Sequence, residues 1–339
     1  MLLDKVKKKF DLSVVKSVEL EDMAIDFTGP DPWASTLSSN QLIANLAHIP
    51  GFNWPIQQVQ LKDYGVDLGQ LESPFTAATV VRGRVLSSIS HSTMKVFPES
   101  HTAFAGFISA LATQPAHTFS IKGTADIIFD LGLLGVHTIH GIDFVSDLTL
   151  RGLDSFRDIR CTAITETTLS ADAKKQQPDQ GQEPVQGQGA KKYMVVEALF
   201  DIYNPSQLLL TLGDCVLAIS VPSRDENDSI ATDSDNQSHI NTTESPLHHH
   251  HIGTLHLDNL TLLMGENDAR TGTLVLNTTI DATRRFLRNA EHTSQKVHLS
   301  GFQGTSQNEA LASGLVTLST SLELPIFHAS SLLPEPATP

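Results

Sequence analysis

The chain has 339 residues, 18 % of them charged, and a formal net charge of -15. That length suggests two domains of ordinary size, each with its own core. The acidic balance excludes a phosphate-backbone binder, which would gather Lys and Arg on one face. Two cysteines, Cys161 and Cys215, are too few for a disulfide framework or a thiolate zinc site. Pairing between them stays open at this stage. No run of about 20 apolar residues occurs, so no spanning helix is expected.

In chain order, residues 1–13 come first. Leu3, Val6 and Phe10 recur at helical spacing among Lys5, Lys7, Lys8 and Lys9. This reads as an amphipathic helix, serving either as a foot on an anionic membrane or as a cover for one end of a sheet. From Val14 the period shortens. Val18, Leu20, Met23, Ile25 and Phe27 follow the alternation of a half-buried strand with one slip near Asp22, and the texture returns at 56–61, 79–86 and 118–123. A helix is expected at 100–111, where Phe104, Phe107, Ile108 and Leu111 share a face.

A second half begins near residue 140. Residues 172–191 are rich in Lys, Gln, Pro, Gly and Asp and read as a disordered insertion. Strands are expected at 193–203 and 208–221, a second polar insertion at 223–245, and strands again at 252–264 and 272–280. A helix follows at 281–290, then strands at 296–302 and 312–324, and a Pro-rich tail at 327–339.

The two halves repeat in order. Phe107-Ile108 precedes the strand Thr118–Gly123 as Phe286-Leu287 precedes Lys296–Phe302, and Pro55–Leu61 parallels Ile252–Leu257. The expected fold is therefore mainly β: two tandem antiparallel β-sandwich domains, 14–139 and 140–326, each carrying one short helix.

Asn204-Pro205-Ser206, with Leu208 to Gly213 after it and Gly253, Gly265 and Asn267 downstream, resembles the signature of late-embryogenesis-abundant (LEA) type 2 domains. With Val297–Gly304 and Leu324-Pro325 added, it resembles an uncharacterised fungal branch related to a vacuolar membrane protein that helps terminate autophagy. The resemblance is good over roughly 140–326 and loose over 14–139, and Met264 stands where the family usually has Pro. It implies immunoglobulin-like sandwiches on the lumenal face of the vacuolar membrane, with lipid held or transferred in an apolar groove. Family members usually carry a transmembrane helix that this chain lacks. On physical grounds the Asn-Pro-Ser step is structural, since Pro205 cannot donate to a ladder and Asn204 caps a turn readily.

No catalytic residue is assigned, because the chain has no Gly-x-Ser-x-Gly elbow and no Gly-rich phosphate loop. His248–His251 is the one histidine run. Neighbours along a strand point to opposite faces and no Cys or acidic partner has ligand spacing, so no metal and no cofactor are assigned. Five N-x-[ST] sequons, at Asn227, Asn236, Asn241, Asn259 and Asn277, are candidate glycosylation sites and favour a lumenal or extracellular face. The expected partner is lipid or a membrane, not nucleic acid. The alternative is a structural or protein-interaction module with a dry core, and strand alternation cannot separate the two.

Overall fold

The computed structural model describes residues 15–46, 56–65, 68–130, 132–170, 193–222 and 249–329. The expected helix at 1–13, the insertions 172–191 and 223–245, most of the tail and the sequons at Asn227, Asn236 and Asn241 lie outside them.

The fold is mainly β. The first half consists of β1 (Val15–Asp26), β2 (Ala34–Leu46), β3 (Ile56–Gly65), short β4 (Gly69–Leu71), β5 (Thr76–Ala77) and β6 (Thr79–Val81), then β7 (Arg84–Val96), α1 (His101–Thr113), β8 (Ala116–Asp130) and β9 (Val136–Arg151). The second half consists of β10 (Ile159–Ser170), β11 (Tyr193–Asn204), β12 (Leu208–Pro222), β13 (His249–Leu262), β14 (Gly265–Asn277), α2 (Asp281–Ala290), β15 (Gln295–Ser300), α3 (Glu309–Leu315) and β16 (Ser319–Leu324).

Alternation makes these strands. In β9, Ile142, Phe144, Ser146, Leu148 and Leu150 are buried while the residues between them face out; β11 alternates in the same way. The slip near Asp22 is a local kink that keeps the register: the ladder to β2 steps two residues on both strands, from Glu21↔Gln41 to Met23↔Ser39, and Asp22 has φ 49°, which turns the buried face from Val18 and Leu20 to Met23 and Ile25.

Strand order runs β1-β2-β7-β4-β3-β8-β9 in the first half and β10-β11-β14-β13-β12-β15-β16 in the second. These are the same order, with β1 matching β10 and β9 matching β16. α1 links β7 to β8 as α2 links β14 to β15. Each group curls so that its outer strands meet. Val18 N–H donates to Ser146 Oγ across β1 and β9 (2.9 Å), and β10 lies against β16.

Three expectations are corrected. The halves are not separate sheets with separate cores: Met23–Asp26 of β1 pair in parallel with Leu208–Thr211 of β12, and one hydrophobic cluster runs through both halves. The division at 139/140 falls inside β9, which pairs with β8 along nearly its whole length, so the seam lies between Arg151 and Ile159. Residues 309–315 are helical, not part of a strand over 312–324, because Asn308 caps them by accepting Leu311 N–H at 2.9 Å. The internal match also moves by one strand: by sheet order β3 corresponds to β12, whereas Ile252–Leu257 lies in β13.

Because β1 runs into β12 in parallel with an overlap of four residues, the repeats stand end to end, roughly 70 Å along the strands at about 3.3 Å per residue. The molecule therefore has a free end on the first repeat, a junction, and a distal end on the second.

Candidate functional site

Asn204, Pro205, Ser206, Gly265 and Asn267 gather in the turns at the junction-facing end of the second repeat, with Gly213 nearby in β12 and Gly253 towards the far end of β13. Asn204 is buried at the β11–β12 turn. Its Nδ2 donates to Leu208 O (2.8 Å) and Leu262 O (3.4 Å), and its Oδ1 accepts from Ser206 N (3.0 Å) and Ser206 Oγ (2.6 Å). Pro205 occupies the turn itself, where no ladder donor is needed. At the β13–β14 turn Asn267 accepts Leu263 N–H (2.7 Å) and donates to Leu263 O and Gly265 O, while Gly265 supplies a φ of +83°. Gly213 bends β12 with φ +72°, and a Cβ on Gly253 would run into Val275 O.

The junction itself is tightly packed. Asn308 Nδ2 donates to Phe27 O and Ala34 O of the first repeat, both at 3.2 Å, while its Oδ1 caps α3. Trp33 stacks on His101 with ring centroids 3.4 Å apart and donates from Nε1 to Glu309 Oε2 at 2.9 Å. Gly314 of α3 meets Ile108 of α1 so closely that a Cβ would overlap the Ile108 side chain. Two apolar cavities lie here and in the neighbouring core, of ≈ 30 Å³ beside Ile108, Leu210 and Leu311 and ≈ 20 Å³ beside Cys215, Leu257 and Leu318. Each has about the volume of one water molecule, ten times below the ≈ 300 Å³ at which ligand pockets begin.

An open cleft of ≈ 630 Å³ lies at the distal end, lined by His250, Arg285, Phe286, Asn289, Gln295 and Lys296 among others. β12 and β13 carry Pro222 and His250 to one wall and α2 forms the other. α2 buries Ala282, Phe286, Leu287 and Ala290 and turns Arg284, Arg285 and Arg288 outward. Beside the cleft His249 stacks on His298 (4.9 Å), whose pKa is lowered by partial burial and then by its neighbour His249. Cations and amides are groups that hold an anion; the cleft's hydroxyl, Thr293 Oγ1, donates to Asn289 O and accepts from the Gln295 amide. Three arginines in one short helix of a strongly acidic chain were the sequence signal for this surface, and reading the helix only for its apolar face missed it.

Other chemistry is confined to structural roles. The Asp126 carboxylate is buried, meets His140 Nδ1 at 2.7 Å and accepts Gly141 N–H at 3.0 Å, which locks the bulge where Gly141 has φ +68°. Cys161 and Cys215 are free thiols on strands that are not ladder neighbours. Burial pushes them up to about 11 and about 12 respectively, in Cys215 with Asp214 adding to the effect. Among the described residues no three His, Cys, Asp or Glu side chains gather to hold a metal ion. His249, His250 and His251 are all exposed on β13. Of the two described sequons, Asn259 is exposed with φ 48°, and Asn277 Oδ1 accepts from Thr279 N and Oγ1 in the turn before α2.

No helix among the described residues is long and apolar enough to cross a membrane. No curated protein and no solved structure matches the chain. A family model described as a protein of unknown function (DUF3712) matches residues 84–219. That stretch runs from β7 to β12 and so carries the seam between the repeats in its interior.

Proposed function

We propose that this chain is a non-enzymatic, endomembrane-associated protein of two LEA type 2-like β-sandwich repeats, working as a rigid interaction module rather than as a lipid carrier. The observation that carries this reading is the closure of the core. An acyl chain needs a continuous apolar channel, and the two apolar cavities beside α1, α3 and the neighbouring strands hold ≈ 30 and ≈ 20 Å³. The tandem reading is supported by the repeated strand order and by the equivalent places of α1 and α2. The vacuolar, lumenal setting rests on the family resemblance, and N-glycosylation at Asn259 and Asn277 belongs to the same proposal. The absence of catalysis is supported by the two high-pKa thiols and by an Asp126–His140 pair engaged with backbone instead of a nucleophile.

The test is native mass spectrometry of the deglycosylated protein from a eukaryotic secretory host, before and after incubation with liposomes. The bare protein mass is expected in both spectra. Lipid retained at near-stoichiometric amount would overturn the closed-core reading and restore the groove.

A further inference from the structure

We infer that the free end of the first repeat is a docking tip for an anionic bilayer surface. Two turns form it. In the β6–β7 hairpin Arg82 (φ 53°) and Gly83 (φ 79°) make the tight turn between Val81 and Arg84. In the β8–β9 turn Gly132 (φ 64°) and Gly135 (φ 79°) flank a single helical turn whose Leu133 is 107 % exposed, with Val136 at 62 % beside it and Val81 at 49 % on the other turn. Pairing places both turns at one end. Leu46 N–H donates to Gly83 O and Leu46 faces Val15, while Ile56 faces Phe129, the Gln57 side chain reaches Asp130, and Ala78 N–H donates to Gln57 O.

Apolar side chains with no core to join are costly on a soluble surface, and projecting ones on glycine-rich turns suit the headgroup boundary of a bilayer. The charge agrees. Lys16, Arg82 and Arg84 are exposed at this end, although the chain carries -15 overall. Asp130 accepts from Gly132 N–H and the Gln57 amide and Glu19 from the Asn45 amide; both keep their charge, and the three exposed basic residues outnumber them. Head-to-tail stacking of a second copy is disfavoured, because the opposite end presents Arg284, Arg285 and Arg288 and would set arginines against arginines. A bilayer bearing anionic lipid matches both the apolar projections and the positive charge.

The inference deepens the membrane association proposed above and has its own readout. The full chain is floated with phosphatidylcholine vesicles containing or lacking phosphatidylserine, at low and high salt. The wild type is expected to float with the anionic vesicles and to be released by salt. L133D/V136D should lose at least about tenfold in partitioning, and R82E/R84E a similar factor, since each basic residue near an anionic surface is worth about fivefold. V145D, at a position 65 % exposed in the middle of β9, should float like the wild type. All sites are exposed, so unchanged circular dichroism checks folding. Failure of the wild type to float, unchanged flotation of L133D/V136D, or equal loss in V145D would each overturn the inference, as would salt-insensitive self-association by light scattering that L133D abolishes. Vesicle binding through the tip together with localisation away from any endomembrane would retire the proposed setting and leave the tip standing.

Discussion

Asn308→Ala tests whether the two repeats fold as one body. The side chain is 5 % exposed and makes three bonds, two of them across the junction: it accepts Leu311 N–H at the start of its own α3 and donates to Phe27 O and Ala34 O of the first repeat. Alanine removes the cap, worth about 1 kcal/mol, and leaves two carbonyls short of a donor at about 1 kcal/mol or more each, so the expected loss is about 2–4 kcal/mol. In urea, with a slope of about 3 kcal/mol/M for a chain of this size, the midpoint should fall by about 1 M. Trp33, stacked on His101 at the same junction, reports the transition by fluorescence, and far-UV circular dichroism reports the sheets. The two curves should coincide in the wild type and in the variant, and calorimetric and van't Hoff enthalpies should agree. Asn308→Asp separates the contributions, since it keeps an acceptor for Leu311 N–H but sets a carboxylate against two carbonyls. It should be no more stable than the alanine variant. A loss below about 0.5 kcal/mol in Asn308→Ala, or separate unfolding of the two probes in the wild type, would refute the single-body argument.

Two further outcomes follow from the titrating groups. Cys161 and Cys215, pushed up by burial, are thiols rather than thiolates at pH 8, so Ellman's reagent should label neither in the folded protein within minutes and both in urea; rapid native labelling of either would contradict their placement. Burial lowers the pKa of His256 and of His298 below the ordinary 6.5, opposed in His256 by Asp258 and reinforced in His298 by His249. The unfolded chain then binds more protons than the folded one once the pH drops below about 6.5, so this stability is present above that value and is lost as the pH falls through the lowered folded values. Tm should decline from about pH 7 towards pH 5, and less in a His256→Asn/His298→Asn variant. An identical decline in wild type and variant would exclude these two histidines as its source.

The sequence carried what is local. Alternation located most strands and the change of buried face at Asp22, and 3.6-residue spacing located α1 and α2, because burial of one face imprints a period on the chain. Pairing partners leave no such imprint. Nothing in Met23–Asp26 specifies Leu208–Thr211 as a parallel neighbour, and the alternation that defines β9 does not say that its partner β8 lies across the presumed boundary at residue 140. α3 had a local signal, Asn308 followed by Glu309, but seven residues with Gly314 among them are too few to show a helical period. The motif at Asn204–Ser206 was legible as a turn from the chemistry of Asn and Pro; in the structure the Asn204 side chain bonds Leu208 O and the Ser206 hydroxyl within that turn. The distal cleft was not legible, because Arg285 and Lys296 converge only after α2 folds back beside β15.

The contrast between the two helices gives the molecule a direction. α1 and α2 occupy the same place in the repeat, yet α1 carries no Asp, Glu, Lys or Arg and α2 carries three arginines and an aspartate. The difference follows from what each helix faces. α1 is packed between β8 of its own repeat and α3 of the next, with Gly314 admitting the close approach to Ile108, so it buries Phe104, Ile108, Leu111 and Ala112 and leaves only Thr102, Ala103 and Gly106 exposed. α2 has its own repeat on one side only, and its outward arginines make the distal end a polar cap of the kind that terminates a repeat array. At the opposite end the described turns project Leu133, Val136 and Val81. A chain that closes one end with charge and leaves the other apolar and basic is asymmetric in how it can associate, and contact with a surface is therefore expected at the first repeat, with the second held away from it.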